Sequence, residues 1–170
     1  GGDLKLVRSV VSTSAVDGDG GSVSVTAGGT AMLRDAHITT SVEGQRNGNG
    51  GDISLTAAAL VMQSGMVQAN TEAPLARGGR ITDATGVLLP DGSRVAVGGN
   101  RIEDFSPGVP GRNVIQAAAP DGVGGTLAVT LPQLDLAASL VYLITPRIGS
   151  TGLQRNLCEA DGDSRLVLQG

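Results

Sequence analysis

The stretch Gly50 to Asn70 reads GGDISLTAAALVMQSGMVQAN, and its pattern decides the fold. After a glycine pair come Ile53 and Leu55 in alternation, then Leu60 and Met62, then Val67 and Ala69. Alternation at period two places each pair on one face of a short strand, so all six side chains share the interior if the strands close into a coil. Such a unit is one turn of a parallel β-helix. A helical solenoid would need apolar residues at i, i+3, i+4 and i+7, whereas these segments are rich in Val, Thr and Ser, which favours strands.

The same template lies upstream in GGSVSVTAGGTAMLRDAHITTS, from Gly20. Val23 and Val25 take the places of Ile53 and Leu55, Ala31 and Leu33 those of Leu60 and Met62, and Ile38 and Thr40 those of Val67 and Ala69. Earlier still, Leu4, Leu6, Val11 and Thr13 supply part of another coil. The glycine pairs at 20, 50 and 78 are 30 and 28 residues apart, a period that signals a solenoid. The expected fold is all-β, a parallel β-helix with a hairpin and loop insertion and an irregular C-terminal cap.

Downstream of Gly78 and Gly79 the next strand-opening pair is Gly124 and Gly125, a spacing of 46 that implies an insertion. Residues 1–85 read as coils, 86–112 as an inserted hairpin and loop, 113–144 as the last coil and 145–170 as a tail or cap. Within the insertion, VLLPDGSRVAVGG has two alternating runs around Pro90, Asp91 and Gly92, which predicts a β-hairpin. Ile115 and Ala117 match Ile38 and Thr40, and the last coil continues through Leu127, Val129, Leu134, Leu136 and Leu140, with Pro132 at a corner. Loops at 15–19, 42–49 and 71–77 all precede a glycine pair, so they project along one edge, the default binding face of a solenoid.

Composition narrows the function. The 170 residues carry 12 basic and 16 acidic side chains, with an isoelectric point near 4.8, so the footprint of a nucleic-acid binder is missing. A 40% share of apolar residues argues against disorder, and 27 glycines without a three-residue period argue against collagen. No apolar run is long enough to span a membrane, and the chain begins with Gly, so it reads as a slice of a longer protein whose export signal lies upstream. Phe105 and Tyr142 are its two aromatic residues, which suits a narrow aliphatic interior and weakens a stacked sugar groove.

No residue is singled out as catalytic, cofactor-binding or metal-ligating. Acid/base cleavage of a glycosidic bond takes two carboxylates about 5 to 10 Å apart, and coils stack at about 4.8 Å. Equivalent positions do not supply such pairs: Asp52 is matched by Ser22 and Arg80, and Asp35 by Ser64. Asp17 with Asp19, and Asp161 with Asp163, sit in Gly turns that could ligate calcium, yet neither has the further acidic residues of an EF-hand, and solvated turns explain them. His37, the single histidine, falls at an outward position equivalent to Met66 and reads as a surface residue. Cys158 is either a buried small side chain or the source of an intermolecular bond. The paired glycines precede strands rather than helices and so do not make a phosphate loop; they read as corners needing a backbone conformation costly to other residues.

The repeated GG-x-[VI]-S-[VL]-T-A unit at Gly20 and Gly50, the run GRNVIQAAAPDGVGGTLAVTLPQLDLAASL from Gly111 to Leu140, and RNLCEADG near the end resemble the large secreted exoproteins of filamentous haemagglutinin type, in their carboxy-terminal part. The resemblance implies a right-handed parallel β-helix exported by two-partner secretion to the surface of a Gram-negative bacterium, acting as an adhesin or fibrous matrix. A carbohydrate-active β-helix enzyme with a site near 86–112 is the alternative. The expected partners are further coils of the same chain or a second copy docked end to end, because Gly1 to Ser14 forms an open partial coil. Cell-surface or matrix glycans are further candidates; nucleic acid is not expected, nor is a membrane span.

Overall fold

The computed structural model describes residues 1–91 and 95–129. Among them there is no helix, and the strands run in chain order as β1 Leu4–Val7, β2 Val10–Ser12, β3 Ser22–Thr26, β4 Thr30–Arg34, β5 His37–Thr39, β6 Asp52–Thr56, β7 Ala59–Gln63, β8 Met66–Gln68, β9 Arg80–Asp83, β10 Leu88–Pro90, β11 Val95–Val97, β12 Asn113–Gln116 and β13 Thr126–Val129. They form three parallel sheets, ordered β3-β6-β9-β13, β1-β4-β7-β10 and β2-β5-β8-β12-β11. The two central coils, β3-β4-β5 and β6-β7-β8, each contribute one strand to each sheet, and the chain is a β-solenoid of about three turns.

The registers are those the alternation predicts. Val23 pairs with Ile53, Ile53 with Ile81 and Ile81 with Leu127, while Val25 and Leu55 form the neighbouring ladder. Leu4, Ala31, Leu60 and Leu88 line the second wall, and Val11, Ile38, Val67 and Ile115 the third. Leu33, Ile38, Ile53, Leu60, Ile81 and Ile115 are each at most 1% exposed. Burial at about 25 cal/mol per Å2 of apolar surface makes this column the main source of stability. Asp83 breaks the second ladder of the first wall: it lies opposite Leu55 and Val129, is 3% exposed, and its Oδ1 accepts the Thr85 N–H at 3.0 Å.

Two of the three corners in each coil carry a recognisable device. Between the second and third strands stand Arg8, Asp35 and Ser64, all non-glycine residues with positive φ of 48°, 46° and 56°. They stack, and the N–H of each of the first two donates to the coil above, Arg8 to the Arg34 carbonyl at 2.9 Å and Asp35 to the Gln63 carbonyl at 2.8 Å. The glycine pairs mark the other corner, where the third strand returns to the first sheet. There the expected reason for glycine needs correction. Gly20, Gly21, Gly50, Gly51, Gly78 and Gly79 are not in the positive-φ region; a Cβ on Gly51 or Gly79 would instead overlap the carbonyl oxygen of Gly21 or Gly51. Close backbone approach, not a special dihedral, excludes side chains there.

The segment 86–112 also departs from expectation. Leu88–Pro90 is an ordinary rung that pairs parallel with β7, and Val95–Val97 pairs parallel with β12 in a different sheet, so the two runs are not a hairpin. The turn signal at Pro90 and Asp91 marks instead the corner that Arg8, Asp35 and Ser64 occupy in earlier coils, with the Asp91 N–H donating to the Met62 carbonyl at 2.7 Å. In the third sheet β12 then lies between β8 and β11, although β11 comes first in the chain. The chain skips one tier, descends through 98–112, and fills the skipped place with β12. The remaining predicted positions of the last coil, Leu134, Leu136 and Leu140 with Pro132, and the tail with Cys158 and Asp161 to Asp163, lie outside the described residues.

Candidate functional site

On a solenoid wall the outward side chains of each strand face water, and the first sheet obeys this: Ser22, Ser24, Thr26, Asp52, Ser54, Thr56 and Arg80 are exposed. The third sheet does not. On β8 and β12 the outward residues Met66, Gln68, Val114 and Gln116 are 1%, 3%, 3% and 1% exposed, because 98–112 crosses over them, while Val10 and Ser12 on β2 and Ala96 on β11 stay exposed. This covered face and the cleft beside it are where the fold concentrates polar chemistry.

Gln116 is the hub of the cover. Its Oε1 accepts the Glu103 N–H at 3.1 Å and the side-chain amides of Gln68 and Asn70 at 3.4 and 3.3 Å; its Nε2 donates to the Arg101 carbonyl at 2.6 Å. Gln68 Nε2 also donates to the Glu103 carbonyl at 2.6 Å. Further along, the Gly108 N–H reaches Asp35 Oδ1 at 2.8 Å, and Ser64 Oγ donates to the Val109 carbonyl at 2.7 Å. Arg112 and Glu103, both in the cover or at its end, form an ion pair at 2.8 Å.

Asp91 fastens the far corner. Its Oδ1 accepts Asn113 Nδ2 at 2.7 Å and the Ser64 N–H at 3.3 Å, and its Oδ2 accepts the Gly111 N–H at 3.3 Å. Desolvation alone would raise its pKa, but the donors from Asn113, Gly111 and Ser64 outweigh it and hold the carboxyl below its ordinary value.

Between the cover and the edge loops lies a cleft of about 210 Å3 whose lining includes His37, Gln68, Asn70 and Phe105. Glu43, Glu72, Glu103 and Asp104 bring carboxylates to it from three parts of the chain. Glu43 and Glu72 follow the bridged residues Val42 and Thr71 on adjacent coils, so they stand about one strand spacing apart. Among the described residues no group of three or more His, Cys, Asp or Glu side chains is placed to hold a metal ion.

His37 is outward on its strand, opposite Met66, but it is not a free surface residue. Its ring lies 4.8 Å from that of Phe105, centroid to centroid, and Nε2 is buried without a hydrogen-bond partner. Burial lowers its pKa, and the neighbouring Gln68 side chain offsets part of the effect. Asp17 faces Arg46 at 3.8 Å, and Asp19 Oδ1 accepts the Asn49 N–H at 2.7 Å and its Nδ2 at 3.1 Å, so this Asp-Gly-Asp turn staples one edge loop to the next. The edge itself is stacked in register: Ala15 bridges Val42, Val42 bridges Thr71, and the Arg77 N–H donates to Asn49 Oδ1 at 2.9 Å.

Sequence reasoning missed the covered face, although a signal existed. Outward positions read Met, Gln, Val and Gln in this wall but Ser, Thr and Asp in the first. Among the described residues no helix is long and apolar enough to cross a membrane. No family model, curated protein or solved structure matches the chain.

Proposed function

We propose that this chain is a structural and adhesive section of a secreted surface protein of filamentous haemagglutinin type, presenting loops from a rigid stalk or building surface fibres. The observation that carries the reading is the edge: loops after successive coils are bridged in register through Ala15, Val42 and Thr71 on a wall of continuous parallel ladders. Such a stack holds variable loops at fixed spacing while its core needs only aliphatic repeats. A right-handed winding, export by two-partner secretion, an outer-surface location, glycan ligands, and end-to-end continuation by further coils or a second copy belong to the same reading. Beads coated with the chain are expected to adhere to host-cell or matrix glycans, with loss of adhesion when Gln45, Arg46 and Asn47 at the loop tip are replaced by Ser. Adhesion equal to that of albumin-coated beads refutes the adhesive role.

One observation favours a second reading, a carbohydrate-active enzyme. Four carboxylates line the cleft beside residues 102–105, and glycosidic cleavage requires two on opposite sides of the bond. Release of reducing ends from a polysaccharide panel, abolished by Glu43→Gln or Asp104→Asn, would establish it; no release from any member rejects it.

A further inference from the structure

The cover turns at glycines at both of its ends. Gly98 and Gly99 at its start have φ of 81° and 92°, and Gly108 and Gly111 near its end have φ of 79° and 75°, so both ends turn at residues with wide backbone freedom. Between these ends its anchorage to the third sheet is mostly amide hydrogen bonds from Gln68 and Gln116, plus one aromatic contact, Phe105 on His37. Beneath it lie Met66 and Val114, apolar side chains that face outward and are hidden by this segment.

We propose that residues 98–112 are a proton-sensitive cover, held shut by neutral His37 and released when that ring takes up a proton, uncovering the apolar and amide surface of Met66, Gln68, Val114 and Gln116. The geometry supplies the reason. A protonated imidazole needs both nitrogens hydrogen-bonded or hydrated, whereas Nε2 is buried beneath the cover without a hydrogen-bond partner, and the adjacent Gln68 side chain, itself tied to the Glu103 carbonyl, offsets only part of that burial. Opening the cover gives that nitrogen water.

The charged groups facing the ring oppose release and do not reverse it. Glu43 and Glu72 reach the cleft from the edge loops, and Glu103 and Asp104 from the cover itself. Glu103 is already paired with Arg112. Asp35, on the same coil, accepts the Gly108 N–H. The neighbours of His37 on the adjacent strands are Val10 and Met66, which carry no charge. Burial outweighs these attractions, as the lowered pKa of the ring records.

The sign follows from linkage. The closed state binds the proton less readily than the open state, whose imidazole keeps the ordinary value of 6.5. The cover is therefore tightest above that pH, and its opening constant rises as pH falls below it, by at most about tenfold per unit until the closed-state value is reached.

The test is amide hydrogen exchange of the whole chain between pH 7.5 and 5, corrected for intrinsic rates, with the imidazole followed by NMR. The single histidine makes that signal unambiguous. Protection across 98–112 should fall with acid several-fold or more while amides of β6 and β7 hold theirs, and the imidazole should titrate below 6.5. His37→Met, which copies the adjacent Met66, should fold and lose the acid response; His37→Gln serves if it does not fold. Protection that is flat or rises with acid overturns the proposal. So does an unchanged acid response in the variant, or parallel loss of protection in β6 and β7.

Discussion

Replacing Gly79 by alanine adds one methyl group at a place where the structure has none to spare. The new Cβ would overlap the carbonyl oxygen of Gly51 and lie 2.7 Å from Gly50 C and 2.8 Å from Gly51 C, against about 3.4 Å for ordinary contact. All three atoms are backbone, so no rotamer change relieves the clash. The coils are also pinned there, by Gly79 N–H to the Ala69 carbonyl at 2.7 Å and Arg80 N–H to the Gly51 carbonyl at 3.2 Å. Separation by half an ångström or more breaks or stretches one of these bonds. Overpacking costs about 1–3 kcal/mol, and a lost backbone bond about 0.5–1.5 kcal/mol more. We expect Gly79→Ala to destabilise by about 3 kcal/mol. Gly124 provides the control within a glycine pair of the same kind: a Cβ there meets nothing within 4 Å and its φ is not positive. Gly124→Ala should be neutral or stabilise by up to about 1 kcal/mol, through the unfolded chain. Urea unfolding of both variants decides the matter. Stabilities within about 0.5 kcal/mol of each other would refute the close-approach argument.

Three further outcomes are expected. Ile53→Ala, in the centre of the ladder from Val23 to Ile81, should cost about 2–5 kcal/mol in urea unfolding, and Ile53→Asp should abolish the cooperative thermal transition; a full transition in the Asp variant contradicts the register. Gln116→Ala strands the Glu103 N–H and the Arg101 carbonyl, each at about 1–3 kcal/mol if left unsatisfied, so exchange in 98–112 should accelerate at every pH while β6 and β7 are unaffected. Asp91 has a lowered pKa, so its contribution to the corner is present above 3.8 and lost as pH falls below it. The chain should accordingly show a second loosening of 98–112 as pH falls below 3.8 that Asp91→Ala removes, separate from the response that sets in below 6.5.

The coil was legible because its period is local. A period of two within each strand and about thirty between coils places Val23, Ile53, Leu60 and Val67 without knowledge of any distant contact. What failed was any feature set by tier rather than by sequence distance. Pro90, Asp91 and Gly92 carry the chemistry of a tight turn, and a hairpin is the usual answer to such a turn between alternating runs. In a solenoid Pro90 and Asp91 serve a corner, since a neighbouring coil already offers β10 its partner in β7. The glycine pairs were located correctly but explained by dihedral freedom; contact between stacked backbones has no signature in one coil considered alone. His37 was placed on the outward face correctly, yet its burial depends on a segment 61 or more residues later, beyond the reach of any window.

The inverted order of β11 and β12 explains why a cover exists at all. In the earlier coils the third strand follows the second after two residues, as from Val7 to Val10, Arg34 to His37 and Gln63 to Met66. By that rule β11, four residues after β10, should lie on β8. The place goes to β12, whose four residues are all buried, whereas Val95 is half-buried and Ala96 and Val97 are exposed. Asn113 makes the difference at the corner: its Oδ1 accepts the Gly65 N–H at 3.0 Å and its Nδ2 donates to Asp91 Oδ1, bonds that Val95 cannot form. Gln116 adds the amide partners of Gln68 and Asn70, again without equivalent in Val95–Val97. Exchanging the strands would leave those buried groups unpaired, at about 1–3 kcal/mol for each. Once β11 lies above β12, the chain must return past the third sheet to lay β12 down. The interior is filled by Ile38, Val67 and Ile115, so the only path is over the outer face. The cover is thus a consequence of which strand carries the amides, and His37 lies beneath it because the returning segment descends as far as the coil of β5.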